Sequence, residues 1–411
     1  MSNTRRIAVL LSVAALAASA CSSSATPVPT AAPTAPPVAT AAATAVTAPT
    51  AAISAAASTA AQKPCTVGVS WNNFQQPRWA AHDKPGIQKT VEAAGGKYID
   101  ADANLSNEQQ LTDVDTLISK GANVLILLAQ DNKAILPAVA KAKAAGIPVI
   151  AYDRLIEDPS ILYITFDNVA VGKAQADAII KKVPKGNYVL IKGDPGDPNA
   201  ATFLPQGWDQ AGLSKLVASG DIKIVGPATG TFTDAWKTET AQANMETIID
   251  KANSSNPKQT IDAVLDENDS TALGVVAALT AKNYGFPPLS GQDGDPANLN
   301  NVALGKQYVD VFKNANELGK AAGAAALALC NGTAMASLSL PTGLIDPSVA
   351  PAAGLASKPF TTPGGTVVNS FILQPTPLTA DTLQTAIDAG QITKADLCKG
   401  VAAATAPPAC K

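Results

Sequence analysis

Histidine is nearly missing from this chain, with His82 the single one among 411 residues. With one imidazole and no cysteine pair at zinc spacing, a zinc site has no ligand set. Neither charge sign is in excess: 30 Lys and Arg face 33 Asp and Glu, for a net charge of -3. Because the basic residues form no block, nucleic acid is not an expected partner. No glycine-bearing turn follows G-x-G-x-x-G or a Walker pattern, so no nucleotide cofactor is expected. Asp100, Asp102 and Asn104 alternate like the start of a calcium loop, but Leu105 stands where that loop needs glycine and its terminal glutamate is missing. No cofactor and no metal are therefore expected.

The apolar run at residues 7–18 is shorter than the roughly 20 residues of a membrane-spanning helix. It follows Arg5 and Arg6 and ends in Ala18-Ser19-Ala20-Cys21. A charged start, an apolar stretch and small residues before a cysteine read as a secretory signal over residues 1–20. The cysteine after small residues resembles a bacterial lipobox, with Ala18 in place of the usual leucine, and makes Cys21 the expected lipidation site. Residues 22–62 are Ala, Thr, Pro, Ser and Val almost throughout and carry no charge. They cannot specify a core, so residues 21–64 are read as an extended tether. Four cysteines remain, Cys65, Cys330, Cys398 and Cys410. An even number in an exported chain suggests two disulfides, with three connectivities open.

From residue 65 on, strand and helix patterns alternate. Val124-Leu125-Ile126-Leu127-Leu128 is apolar throughout, as expected of a parallel strand covered by helices on both faces. Val149-Ile150-Ala151-Tyr152 is a second such strand and delivers Asp153 and Arg154 to its C-terminal tip. Helices are expected at 85–94, 107–119, 133–145, 169–182, 206–219, 234–252 and 270–282. Further strands are expected at 66–70, 97–100, 162–166, 188–192, 222–225 and 263–265. This predicts an α/β fold with two doubly wound parallel-sheet lobes. Ligands of such sheets bind beyond the carboxyl ends of the strands, and here those ends carry polar clusters. An adjacent acid and base at a strand end is also a common local salt bridge, Trp79 and Trp236 could equally plug a core, and Lys313 could simply be solvated.

Taken in order, Arg78-Trp79, Tyr152-Asp153-Arg154, Phe166-Asp167-Asn168, Asn199-Ala200, Trp236, Asn268-Asp269, Gly291-Gln292-Asp293 and Phe312-Lys313 resemble the xylose-binding protein family. These are type I periplasmic sugar-binding proteins that serve ABC importers. The resemblance runs from Cys65 to about Gly390 and implies two lobes joined by a three-crossover hinge. It places 65–167 and 314–370 in lobe 1, and 168–313 and 371–411 in lobe 2. The first crossover would follow Asp167-Asn168, the second lie near 311–314 and the third near 371–375. With strands pointing toward the cleft, Cys65 and Cys330 share the outer end of lobe 1, which implies a Cys65–Cys330 bridge and leaves Cys398–Cys410.

The implied ligand is a monosaccharide, most simply D-xylose or a related pentose or hexose. Its hydroxyls both donate and accept, and each unpaired buried polar atom costs about 1–3 kcal/mol. Asp153 and Asp293 would accept; Arg78, Arg154 and Lys313 would donate; Asn199 and Asn268 would do both. Trp79 and Trp236 would cover the ring's C–H faces. The resemblance further implies an ABC importer permease as partner, membrane attachment through Cys21, an exported location at the outer face of the cell membrane, and a monomer. A sensor presenting its closed form to a chemoreceptor or kinase is the alternative. Catalysis is not expected, because cations around Asp153 and Asp293 favour both charged forms and no nucleophile motif accompanies them. His82 and the acidic Asp266-Glu267 pair depart from the family pattern, and no ligand contact is expected from residues 341–365.

Overall fold

The computed structural model describes residues 65–351 and 353–411. The expected signal, the tether and Cys21 lie outside the described residues.

Lobe 1 is built on a seven-stranded sheet in the order Lys358–Thr361, Val367–Leu373, Ile161–Phe166, Val149–Tyr152, Val124–Leu127, Thr66–Trp71, Lys97–Asp102. All neighbours run parallel except Lys358–Thr361, an antiparallel edge. Every residue of Val124–Leu127, Val149–Tyr152 and Ile161–Phe166 is buried. Apolar clusters lie on the two faces of this sheet, so its central strands need no polar side.

Lobe 2 has two three-stranded ladders. Ile222–Ile224, Gly186–Ile191 and Ala263–Asp266 form one; Ser290–Asp293, Val309–Phe312 and Thr376–Leu378 form the other. A parallel bridge between Val264 and Leu289 joins them, so the same strand-helix plan is repeated.

Three short segments cross between the lobes. Asp167 ends Ile161–Phe166 and caps the lobe 2 helix Asn168–Lys182, accepting the Ala170 N–H at 2.9 Å. Lys313 and Asn314 leave Val309–Phe312 and start Ala315–Cys330, which packs on lobe 1. Gln374 and Pro375 join Val367–Leu373 to Thr376–Leu378. The Asp167 N–H donates to the Leu373 carbonyl at 2.8 Å, tying the first crossover to the third. The expected boundary between 370 and 371 is corrected here. Phe371, Ile372 and Leu373 pair with Ile164, Thr165 and Phe166, and Phe371 and Leu373 bury in the lobe 1 core. The chain therefore leaves lobe 1 at 374.

Three expected helices are shorter than their apolar spacing implied, and the one at 133–145 spans only Leu136–Ala144. Residues 206–219 split into Leu204–Gln210 and Leu213–Ser219 because Gly212 sits at φ 100°, a conformation that ends one helix before the next begins. The helix expected from 234 starts at Thr238, since Ala235 and Trp236 have φ 54° and 57°. A helix at Pro296–Ala303 was not anticipated. The cysteines pair as Cys65–Cys330 and Cys398–Cys410. Closing a span of 265 residues removes unfolded-chain entropy worth about 5.6 kcal/mol on the loop-entropy account.

Candidate functional site

All nine residues expected to meet a ligand line one cavity between the lobes: Arg78, Trp79, Asp153, Arg154, Asn199, Trp236, Asn268, Asp293 and Lys313. Gln76, Asp197 and Gln292 complete its wall. With the side chains of both lobes packed together, the space between them, its opening to solvent included, is about 260 Å³. Residues 341–365 and His82 do not line it.

Each side chain arrives at a strand end or a helix start. Asp153 follows Val149–Tyr152 at φ 59°. The neighbouring strand holds it there, with the Asp153 N–H donating to the Ile164 carbonyl at 2.8 Å and the Thr165 hydroxyl donating to the Asp153 carbonyl at 2.8 Å. Arg78 and Trp79 open the helical turn Trp79–Asp83 after the first strand. Asn268 caps Asp269–Ala281, its Oδ1 accepting the Thr271 N–H at 3.0 Å. Asp293 ends Ser290–Asp293, and Lys313 sits on the second crossover.

Charge in the wall is balanced. Arg78, Arg154 and Lys313 face Asp153, Asp197 and Asp293, so the lining is formally neutral. Two ion pairs span the lobes: Arg78 Nη1 to Asp293 Oδ1 at 2.6 Å, and Arg154 Nε to Asp197 Oδ2 at 3.1 Å. Asp153 and Arg154 thus do not pair with each other; Asp153 lies 3.1 Å from Lys313 and 3.4 Å from Arg78. Behind the wall, Asp83 takes a fork from Arg78 at 3.1 and 2.9 Å, and the Tyr152 hydroxyl donates to Asp83 at 2.6 Å. Arg78 also stacks on Trp79, 4.2 Å from the ring centre.

Burial opposes charge on both Arg78 and Asp153, and the neighbours outweigh it. Asp83, Asp153 and Asp293 raise Arg78 above its ordinary value, while Lys313 and Arg78 hold Asp153 below its own. At Asp197 burial wins over Arg154 and raises the carboxyl. His82 is half-buried against Asn316, and burial, then Arg78, lower it.

Asp266 and Glu267, the acidic departure, are fully buried behind the wall. Glu267 Oε2 accepts the Gly193 N–H at 2.7 Å, and Asp266 Oδ1 accepts the Thr271 hydroxyl at 2.5 Å. Burial raises both well above the usual carboxylate range. Their role is to hold backbone: a Cβ on Gly193 would come within 2.1 Å of the Trp236 ring, so Gly193 is the floor on which that indole rests.

Four buried polar atoms of the wall have no partner within the protein: Gln76 Nε2, Trp79 Nε1, Trp236 Nε1 and Gln292 Oε1. Together with the carboxylates and guanidinium groups they offer donors and acceptors from all sides, with two indoles for apolar faces. That set fits a small, neutral, hydroxyl-rich molecule. Gln76, Asp197 and Gln292 were missed because their loops were visible as polar clusters but not which side chain in each turns inward. Asp100 and Asp102 do not gather a metal set; Asp100 pairs with Lys84 at 2.6 Å and Asp102 accepts the Asn104 N–H. Among the described residues no group of three or more His, Cys, Asp or Glu is placed to hold a metal ion.

Residues 67–334 match the sequence model of the periplasmic binding protein domain. The D-xylose-binding periplasmic protein of Escherichia coli is 36% identical over 272 residues, which are 66% of this chain and 79% of the relative. The multiple sugar-binding periplasmic receptor of Rhizobium radiobacter is 32% identical over 273 residues, covering 62% of this chain and 75% of its own. Among solved structures, an ABC transporter solute-binding protein from Clostridium phytofermentans with bound β-D-glucose superposes with a TM-score of 0.68. It has 31% identity and covers 81% of this chain and 99% of its own.

Proposed function

Since the chain belongs to the xylose-binding family of type I periplasmic sugar-binding proteins, whose members bind solutes and are not enzymes, we propose that it captures one monosaccharide in the interlobe cavity. Arg78, Arg154 and Lys313 donate to the sugar, Asp153, Asp197 and Asp293 accept, and Gln76, Asn199, Asn268 and Gln292 do either. Trp79 and Trp236 cover the ring faces. The observation that carries this is the wall itself: a formally neutral lining with four unpartnered buried polar atoms around one interlobe cavity. An apolar ligand would leave those atoms unpaired at about 1–3 kcal/mol each, and an ionic one would upset the charge balance.

D-xylose is the first candidate, with related pentoses and hexoses next. A relative is named for D-xylose and a solved neighbour holds β-D-glucose. The interlobe pairs Arg78–Asp293 and Arg154–Asp197 close only when the lobes come together, so a sugar that fills the cavity shifts the chain toward the closed form. That form, as a monomer, would dock on an ABC importer permease. A thermal-shift screen with xylose, glucose, arabinose, galactose and ribose at millimolar concentration tests the reading. Stabilisation by at least one is expected, and no shift with any of them would overturn it.

The lipobox-like Ala18-Ser19-Ala20-Cys21 and the uncharged stretch after it support anchoring of the exported chain to the outer membrane face through Cys21. In cells, Cys21→Ser is expected to move the protein from the membrane fraction to the soluble one; an unchanged distribution would rule the anchor out.

A further inference from the structure

The turn that brings Asp293 into the cavity is gripped from behind by carboxyls that do not touch the cavity. Asp293 has φ 109° and Gly294 follows at φ 82°, a strained path for a side-chain-bearing residue. Asp269 Oδ2 accepts the Gly294 N–H at 3.0 Å and the Asp295 N–H at 2.8 Å. Asp310 Oδ1 accepts the same Gly294 N–H at 3.2 Å, so two carboxyl groups meet at one donor. Asp269, Asp295 and Asp310 are at most 2% exposed. Among the described residues none of them has a Lys or Arg within ion-pair distance. The charged groups facing them are Asp293 in the turn, Arg78 across the lobes and Asp83 beyond it; Gln307 and Asn298 pack alongside as neutral amides. Asp269 Oδ1 and Asp310 Oδ2 have no other protein partner. Two ionised carboxylates cannot share such a place, whereas one proton between them converts repulsion into a hydrogen bond.

We infer that Asp269 is a positioning residue for ligand capture: sharing one proton with Asp310, it clamps the backbone of Gly294 and Asp295 and so holds Asp293 in the strained conformation that faces the ligand. The inference rests on the sugar-binding reading for its ligand and on the turn geometry for its mechanism. Burial and Asp293 push Asp310 up to about 7, against the lowering effect of its side-chain contact with Asp269, and burial with Asp293 pushes Asp295 up to about 8. Burial and Asp310 raise Asp269 as well. These folded-state values stand above the unfolded value of about 4. The stabilisation is therefore complete below about pH 4 and is lost as pH rises through about 7 to 8.

The test compares wild type, Asp269→Ala and Asp310→Asn from about pH 6 to about pH 9. D-xylose affinity is read by calorimetry, and the melting temperature is read without sugar. Wild type should bind about tenfold more weakly at the alkaline end and melt lower there. In Asp310→Asn the amide donates to Asp269 at every pH, so both profiles should flatten. Asp269→Ala should weaken binding about tenfold or more at all pH values. A wild-type-like pH profile in Asp310→Asn, or a flat one in wild type, would overturn the shared proton. Unchanged affinity in Asp269→Ala would overturn the positioning role. If wild type bound no sugar but its sugar-free melting still fell with pH and flattened in Asp310→Asn, the sugar reading would fail and the clamp would stand. Should Asp310→Asn not fold, the infrared carbonyl band of protonated carboxyls is compared in wild type and Asp269→Ala near neutrality: a weaker band in Asp269→Ala supports the shared proton, and an unchanged band refutes it.

Discussion

Replacing Arg78 by lysine separates the charge at the centre of the cavity from its geometry. The guanidinium makes three short hydrogen bonds, Nε to Asp83 at 3.1 Å, Nη2 to Asp83 at 2.9 Å and Nη1 to Asp293 at 2.6 Å. It also stands 3.4 Å from Asp153. Lysine keeps the positive charge among these carboxylates, but one ammonium cannot hold the Asp83 fork and reach across the lobes to Asp293. A hydrogen bond to a charged group is worth about 1.5–3 kcal/mol net. The bond that spans the lobes forms only on closure, so its loss should weaken D-xylose binding by about 10–150-fold. Arg78→Met goes further, leaving Asp83, Asp153 and Asp293 without their shared cation, at a cost of about 3–5 kcal/mol. It should lower the melting temperature much more than Arg78→Lys does. Fluorescence of Trp79 and Trp236, both in the wall, reports binding, and scanning calorimetry reports folding. If Arg78→Lys bound D-xylose within about twofold of wild type, well under the factor of ten that 1.4 kcal/mol represents, the fork would have no part in closure and the reasoning would be wrong.

Gly193→Ala probes the floor beneath Trp236. The added methyl would lie 2.1 Å from the indole, and overpacking of that kind costs about 1–3 kcal/mol; affinity should fall about 5–150-fold by titration calorimetry, and an unchanged affinity would mean that Trp236 does not cover the ligand. The sugar screen, the Cys21→Ser fractionation and the pH series on Asp310→Asn complete the set. The first reads the ligand, the second the tether and the third the clamp behind Asp293.

Much of the architecture was legible because buried parallel strands declare themselves. Val124–Leu127, Val149–Tyr152 and Ala263–Asp266 are apolar for most of their length; Asp153-Arg154 follow the second and Asp266 ends the third, and such polar ends mark the ligand side of the sheet. Caps were legible too, as with Asn268 before an apolar helix. Local pattern failed where the backbone leaves the common regions. Nothing in Asp234-Ala235-Trp236 announces two residues at positive φ; that geometry is held by Asp194 Oδ2, which accepts the Ala235 N–H at 2.5 Å. The third crossover lies within its expected range, but the lobe boundary there was placed three residues early because Phe371 and Leu373 are apolar enough for either lobe, and only pairing with Ile161–Phe166 assigns them.

Strand and helix periodicity with polar strand ends was enough by itself to determine two α/β lobes and the side on which a ligand would lie, while the nine wall residues were named through the resemblance of those ends, in their fixed order, to the xylose-binding family. Those properties depend on near neighbours in the chain and on the alternation of burial. What the tertiary structure decided is who meets whom across long separations. Asp153 turns from Arg154 to Lys313 and Arg78, Arg154 reaches Asp197, and Asp269 and Asp310 converge on one N–H behind Asp293. The physical reason is that a carboxyl's charge and protonation are set by which groups share its low-dielectric surroundings. Those groups arrive from strands and helices that become neighbours only when the sheet is assembled.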